Sequence, residues 1–211
     1  MGDRLLVMVY NRLMLILASK LNNFPVLSLQ IGTAIARTDR AIIDPAELKL
    51  VAFSLSKVIG DAVKPSNILM LDDVREFSLR GFIIDSAESL IDADDVLKIQ
   101  QIMALHFDLI GLKVVSESGK KIGKIIDYSV DINSFMIYQI IVRRPTLQSF
   151  VTPELTINRS QITEIDDYSV TIRNDSEKIS LEAPVEDFQP NFVNPFRQKP
   201  KLQENEFSEE K

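Results

Sequence analysis

Residues 118–127 read Ser-Gly-Lys-Lys-Ile-Gly-Lys-Ile-Ile-Asp, and this stretch decides the fold class of the chain. Gly119 suits a tight hairpin turn, and Gly123 suits a strand that bends at a barrel corner. A bulge in the following strand keeps its apolar residues in phase, so that three of them point inward, namely Ile122, Ile125 and Val130. A hairpin of this kind is typical of a small β-barrel.

Short strands with turn residues between them continue on both sides of this hairpin. Such spacing favours a barrel or sandwich over a helical fold. The apolar and β-branched runs predict strands at Lys113–Ser116, Lys121–Asp131, Phe135–Val142, Leu155–Ile157 and Ser169–Ile172, with one helical turn over Arg159–Ile162. The chain is therefore predicted to be all-β.

The first half of the chain repeats the pattern of the second half at a separation of about 88 residues, which indicates duplicated domains rather than a solenoid. Its apolar runs and the aspartates that end its long strands can be aligned with those of the second half. The matches are Pro25–Ser28 with Lys113–Ser116, Ala34–Arg37 with Lys121–Lys124, Asp44 with Asp131, Leu48–Phe53 with Phe135–Ile140, and Val74, Phe77, Phe82 and Ile84 with Ile162, Ile165, Val170 and Ile172.

The repeated unit resembles the PRC-barrel domain, a family that includes parts of the photosynthetic reaction centre H subunit and of the RimM-type ribosome maturation factor. Four segments of the second copy carry the resemblance, namely Leu109–Ser116, Ser118–Asp127, Val130–Val142 and Arg159–Ile162. The first copy departs from the pattern, since Ala36 replaces the corner glycine and Gly81 stands where the second copy has Ser169. The resemblance implies two tandem small barrels whose partners are mainly other proteins.

These observations divide the chain into five segments. A short helix with Asp92 as its N-cap and an apolar stripe of Val96, Ile99 and Met103 is expected to join the barrels. Four prolines between 184 and 200, followed by four glutamates between 204 and 210, predict a flexible tail. The segments are an apolar extension at 1–18, a first barrel at 19–91, the linker helix at 92–104, a second barrel at 105–182 and the tail at 183–211.

The apolar run Leu5–Leu17 is too short to span a bilayer and is interrupted by Asn11 and Arg12. We therefore expect no transmembrane span. The run is either a helix or strand that docks on the core or a segment that lies at a membrane interface. Met14 precedes Leu-Ile-Leu-Ala-Ser-Lys-Leu, and we expect it as an alternative to Met1 for the start of translation.

Composition argues against most catalytic chemistry. The chain has no cysteine, which excludes disulfides, thiolate zinc sites and cysteine nucleophiles. Its one histidine, His106, has no nucleophile beside it in sequence. The net charge of -6 opposes direct nucleic-acid binding. We therefore expect a cytoplasmic protein that is not an enzyme and has no catalytic residue, cofactor or metal.

Two motifs invite a ligand-binding interpretation and fail it. The stretch Gly119–Lys124 has three residues between its glycines, and Ile125 follows the lysine where a phosphate loop needs a hydroxyl. The stretch Asp92–Asp95 opens like a calcium loop, but Leu97 and Met103 occupy the required glycine and glutamate positions.

Arginine and aromatic residues mark two candidate partner contacts, because both are favoured in protein interfaces. The first is the end of the long strand, with Arg143, Arg144, Leu147 and Phe150; the second is the tail, with Phe188, Phe192 and Phe196. The arginines can equally be solvated at a strand end, and the tail can dock on its own barrels.

The function expected from these features is a non-enzymatic scaffold that binds another protein of unknown identity. Two alternatives stay open: a factor associated with ribosome or RNA maturation, and an assembly factor at the membrane surface. A homodimer is compatible with the sequence.

Overall fold

The computed structural model describes residues 8–10, 13–56, 67–145 and 154–174. Within these ranges the chain is mostly β-structure, which confirms the predicted all-β class. In chain order the elements are β1 (Met8–Tyr10), β2 (Leu13–Leu17), β3 (Pro25–Ser28), β4 (Thr33–Asp44), β5 (Lys49–Ser56), β6 (Asn67–Met70), β7 (Glu76–Ser78), β8 (Gly81–Ile84), β9 (Ile91–Asp92), α1 (Leu97–Ala104), β10 (Lys113–Ser116), β11 (Lys121–Asp131), β12 (Ile137–Arg143), β13 (Glu154–Asn158), β14 (Ile162–Ile165) and β15 (Ser169–Ile172).

The strands form two sheets, one from each half of the chain. The first sheet has the order β7-β8-β3-β4-β5-β6-β9. The second has the order β1-β2-β11-β10-β15-β14, with β12 pairing with β11 and β13 pairing with β12. The apolar strand β2 therefore precedes the first sheet in the sequence but belongs to the second.

Five strand pairings recur in both sheets. In each, the first hairpin is antiparallel and carries a bulge, between Val26 and Leu27 in one and between Val114 and Val115 in the other. Strand β3 then pairs in parallel with β8, as β10 does with β15. Residues with positive φ occur at corresponding places, namely Asn23 and Gly111, Gly32 and Gly119, and Leu48 and Phe135.

The two sheets meet through corresponding residues. Lys49 and Met136 form an antiparallel bridge. On one side of it the Leu50 amide donates to the Phe135 carbonyl over 2.9 Å, and on the other the Ile137 amide donates to the Leu48 carbonyl, also over 2.9 Å. Leu48 corresponds to Phe135 in the repeat, and Leu50 corresponds to Ile137, so each of these hydrogen bonds is the counterpart of the other. The halves are therefore related by a local pseudo-two-fold axis at this bridge.

Phe135 differs from its predicted place in a strand. Its φ of 57° puts it in the turn, so that β12 begins only at Ile137. The Phe135 amide closes this turn by donating to the Asp131 carbonyl over 2.7 Å, and the centroid of its ring lies 6.4 Å from that of Phe82 in the other sheet. Arg159 joins the halves nearby by donating to the carbonyls of Glu47 and Leu48 at 2.6 and 3.0 Å.

Buried side chains of both sheets form one continuous apolar cluster. The predicted inward residues Ile122, Ile125 and Val130 belong to it, at 3 % exposure or less. Two register shifts in the pairing of β11 with β12 supply the bulges that keep their phase. The inward pattern predicted for this strand is thus confirmed.

The helix α1 begins at Leu97, so the predicted start at Asp92 is wrong. Asp92 belongs to β9, where it pairs with Asn67 of β6. A 3-10 turn over Ala93–Asp95 follows before the helix. The buried stripe is Ile99 and Ile102, whereas Met103 is exposed. This stripe packs on three outward residues of the first sheet, which are Ile42, Ala52 and Ile68. No helix in the described ranges is both long and apolar enough to cross a membrane.

Candidate functional site

A cleft opens where the first sheet meets the segment that leads into the second. It consists of two adjoining cavities of about 250 Å³ and 220 Å³. The residues that line both cavities come from β4 and from the stretch after α1, and they are Asp39, Arg40, Ala41, Ile43, Phe107 and Asp108. Tyr128 of β11 also lines the smaller cavity, so both sheets contribute to the cleft.

The cleft exists because the repeat is unequal at one position. Ala41 pairs with Phe53 in the first sheet, and Tyr128 pairs with Ile140 at the corresponding place in the second. Both residues face the cleft. A methyl group on one side and a phenol ring on the other leave space beside the pseudo-two-fold axis that two equal large side chains would fill.

Tyr128 is the buried polar group of the cleft. Its side chain is 3 % exposed, and its hydroxyl forms no hydrogen bond with any residue that the structure describes. Burial raises the pKa of Tyr128, and the negative charges of Asp108 and Asp127 raise it further. The phenol therefore stays protonated well above the ordinary range and presents a neutral hydroxyl.

Carboxylates dominate the charge around this hydroxyl. Asp39 is exposed in the bulged part of β4, and Asp108 is exposed beside Phe107. Backbone amides hold two of the carboxylates in place: the Ile110 amide donates to Asp108 Oδ1 at 2.9 Å, and the Ser19 amide, from the other half of the chain, donates to Asp127 Oδ1 at 3.2 Å. Asp39 and Asp108 line both cavities with one guanidinium, that of the exposed Arg40, and Asp127 adds a further negative charge near Tyr128, so the site has a net negative charge.

His106 lines the larger cavity but is held as a turn residue. Its φ is 49°, and its Nδ1 lies 2.8 Å from the carbonyl oxygen of Ala104 just before it. The side chain is exposed. Among the residues described, no group of three or more His, Asp or Glu side chains has the arrangement of a metal site.

The strand-end contact predicted from the sequence lies outside this cleft. Arg143 is exposed at the end of β12 and pairs with Glu154 of β13 at 3.5 Å, while Arg144 is half-buried beyond it. The other predicted contact residues lie outside the described ranges, and these are Leu147, Phe150, Phe188, Phe192 and Phe196. Whether the strand end binds a partner stays a prediction.

The backbone of Arg143 explains the second glycine of the hairpin. A Cβ on Gly123 would lie 2.2 Å from the Arg143 carbonyl oxygen. The residue is therefore required by the close approach of β11 and β12, in addition to any bend. Ala36, which replaces it in the first sheet, is fully buried.

Sequence reasoning missed the cleft residues Ala41, Phe107, Asp108 and Tyr128. One signal was present in the repeat: the alignment that matches Asp44 with Asp131 also sets Ala41 against Tyr128. A small residue opposite a large aromatic one marks a place where two copies of a domain cannot pack alike.

Comparison with known proteins bears on the second sheet. No curated protein matches the chain. The family model of the PRC-barrel domain matches residues 103–176, which run from the end of α1 to just beyond β15. Residues 103–176 are thus similar to the PRC-barrel domain.

Proposed function

We propose that the chain is a non-enzymatic scaffold of two PRC-barrels that binds another protein in the cleft at their junction. The second barrel is the part that the family model matches. Support for the first barrel comes from its strand pairing, which repeats that of β10 to β15 with bulges and positive-φ residues at corresponding places.

The observation that carries the proposal is the position of the cleft. It lies at the junction of the sheets, with a wall of β4, a wall of residues 107–110 and Tyr128 of β11. The site needs residues from both halves, and neither half forms it alone, so the proposed binding function depends on the duplication. Concave sites at such junctions are where ligands of multidomain proteins usually bind.

The reciprocal packing of the two segments that lead into the sheets supports the scaffold role. Strand β2 precedes the first sheet and pairs with β11, and α1 precedes the second sheet and packs on the first. Each half is therefore held by a segment attached to the other. A surface fixed in this way loses little conformational entropy when a partner binds.

Affinity capture from native cells tests the proposal, with the full chain as bait. We expect a reproducible set of proteins with the wild type, and loss of that set with Ala41→Phe, which fills the cleft. Ala46→Phe is the matched control, because Ala46 is exposed and lies outside the cleft. Circular dichroism shows whether both variants fold.

Three outcomes would contradict the proposal. The first is a capture that returns no specific protein. The second is a specific RNA in place of a protein, which would favour a ribosome-associated role. The third is a set of captured proteins that Ala41→Phe leaves unchanged in a folded chain.

A further inference from the structure

We infer that the cleft receives the guanidinium group of an arginine side chain that projects from the protein partner. This inference rests on the proposed function and adds the chemistry of the contact. It follows from the charge of the cleft, from its aromatic wall and from the buried hydroxyl of Tyr128.

Charge selects a cation. Asp39 and Asp108 line both cavities, and Asp127 lies close enough to Tyr128 to act on its hydroxyl. Arg40 supplies the only positive charge among the residues that line both cavities, and it makes no ion pair with a described carboxylate. A phosphate or carboxylate group would meet more negative than positive charge here, whereas a cation gains from the imbalance.

The walls select the kind of cation. Half-buried Phe107 and buried Tyr128 give the lining of the cleft an aromatic part, and Ile43 and Ile110 add an aliphatic part. A guanidinium is flat and weakly hydrated, so it enters a partly apolar cleft and stacks on aromatic faces at lower cost than an ammonium group. Its methylene stem can lie along the aliphatic side of the cleft.

The hydroxyl of Tyr128 supplies an acceptor that is already desolvated. It is buried without a hydrogen-bond partner among the described residues, a state that costs free energy until a ligand pairs with it. A guanidinium carries five donors and no acceptor. One of its N–H groups can donate to the Tyr128 oxygen while others donate to Asp108 and Asp39.

The test uses the full chain and three synthetic peptides that differ at one residue. The first has a single arginine between glycine and serine residues, the second has citrulline, which is uncharged but keeps the shape, and the third has lysine. Binding is followed by NMR shifts of the Phe107 and Ile110 amides. We expect the arginine peptide to bind at least about tenfold more tightly than the citrulline peptide. Its affinity should fall with added salt.

Three variants locate the contact. The double variant Asp39→Asn/Asp108→Asn should weaken binding of the arginine peptide by about tenfold. The control double variant Asp94→Asn/Asp95→Asn changes the net charge equally and should leave this binding unchanged. Asp94 and Asp95 are exposed in the turn before α1 and do not line the cleft. Tyr128→Phe should weaken binding by several-fold because it removes only the acceptor.

The inference is overturned if citrulline binds as tightly as arginine, or if both aspartate pairs have the same effect. Tighter binding of free agmatine than of the peptide would also overturn it, since a small metabolite would then be the source of the guanidinium. Its failure differs from failure of the proposed function. Suppose a captured protein is lost with Ala41→Phe but retained with Asp39→Asn/Asp108→Asn. That result would support the proposed scaffold function and contradict the arginine contact.

Discussion

Asp44 and Asp131 end the long strands of the two sheets, and each carboxylate contacts the segment that leads into the opposite sheet. Asp44 Oδ2 lies 3.8 Å from the Nζ of Lys98 on α1. Asp131 Oδ1 accepts a hydrogen bond of 3.2 Å from the Met14 amide on β2. The same position of the repeat thus holds both leading segments, which are β2 before the first sheet and α1 before the second. Asp44 holds α1 through an ion pair, and Asp131 holds β2 through a backbone amide.

The two contacts should differ in strength. Asp131 is 4 % exposed, and besides Met14 its carboxylate accepts bonds from Ser134 and Asn133. We expect Asp131→Ala to lower the free energy of unfolding by about 3 kcal/mol, because it removes a buried carboxylate that accepts several hydrogen bonds. Asp44→Ala should cost about 1 kcal/mol, since Lys98 is mostly exposed. Urea unfolding measures both, and equal losses would show that the buried bonds of Asp131 add nothing.

Much of the second sheet could be predicted from the sequence, because its signals are local. The glycine turn at Gly119, the inward residues of β11 and the turn over Arg159–Gln161 depend on neighbours a few positions away. Alternation of apolar residues and turn chemistry determine such features directly. The repeat extended the same reasoning to the first half, where the strand pairing follows the alignment.

The leading segments and the cleft could not be predicted, because they depend on partners that are distant in sequence. The run Leu13–Leu17 is equally apolar as a helix or as a strand, and its partner Val130 lies in the other half of the chain. Likewise, Ala41 and Tyr128 face a common space only because the sheets pack about the bridge between Lys49 and Met136.

Ile16 tests whether β2 stabilises the second sheet. It pairs with Val130 and is 1 % exposed, so Ile16→Ala removes buried apolar volume. We expect a loss of about 2–4 kcal/mol in the free energy of unfolding. Hydrogen exchange should accelerate first at Ile132, more than a hundred positions away in sequence, because its amide donates to the Met14 carbonyl on β2 over 3.0 Å. Leu29→Ala is the control, because Leu29 is 53 % exposed and should change stability little. Faster exchange in β3 and β8 alone would contradict this role.

Gly123 and Gly119 should respond differently to alanine. A Cβ at Gly123 would lie 2.2 Å from the Arg143 carbonyl oxygen and 2.8 Å from Val142 Cγ1, so the strands must separate. We expect Gly123→Ala to cost about 3 kcal/mol. Gly119 has open space around it and a φ of 79°, so Gly119→Ala pays only the backbone term of about 1 kcal/mol. Thermal unfolding of both variants measures the difference, and a smaller loss at Gly123 would show that β11 and β12 can separate freely.

Tyr128 should make the folded chain sensitive to high pH. Its pKa is raised in the folded state, chiefly by burial, whereas the pKa of a tyrosine in the unfolded chain is about 10. Above that pH the unfolded chain loses a proton that the folded chain keeps, so stability is complete below about 10 and falls as the pH rises further. Tyr128→Phe should remove this part of the decline. Absorbance of tyrosinate in the folded wild type should show one phenol that ionises later than the others, and its persistence in Tyr128→Phe would assign the late step to another tyrosine.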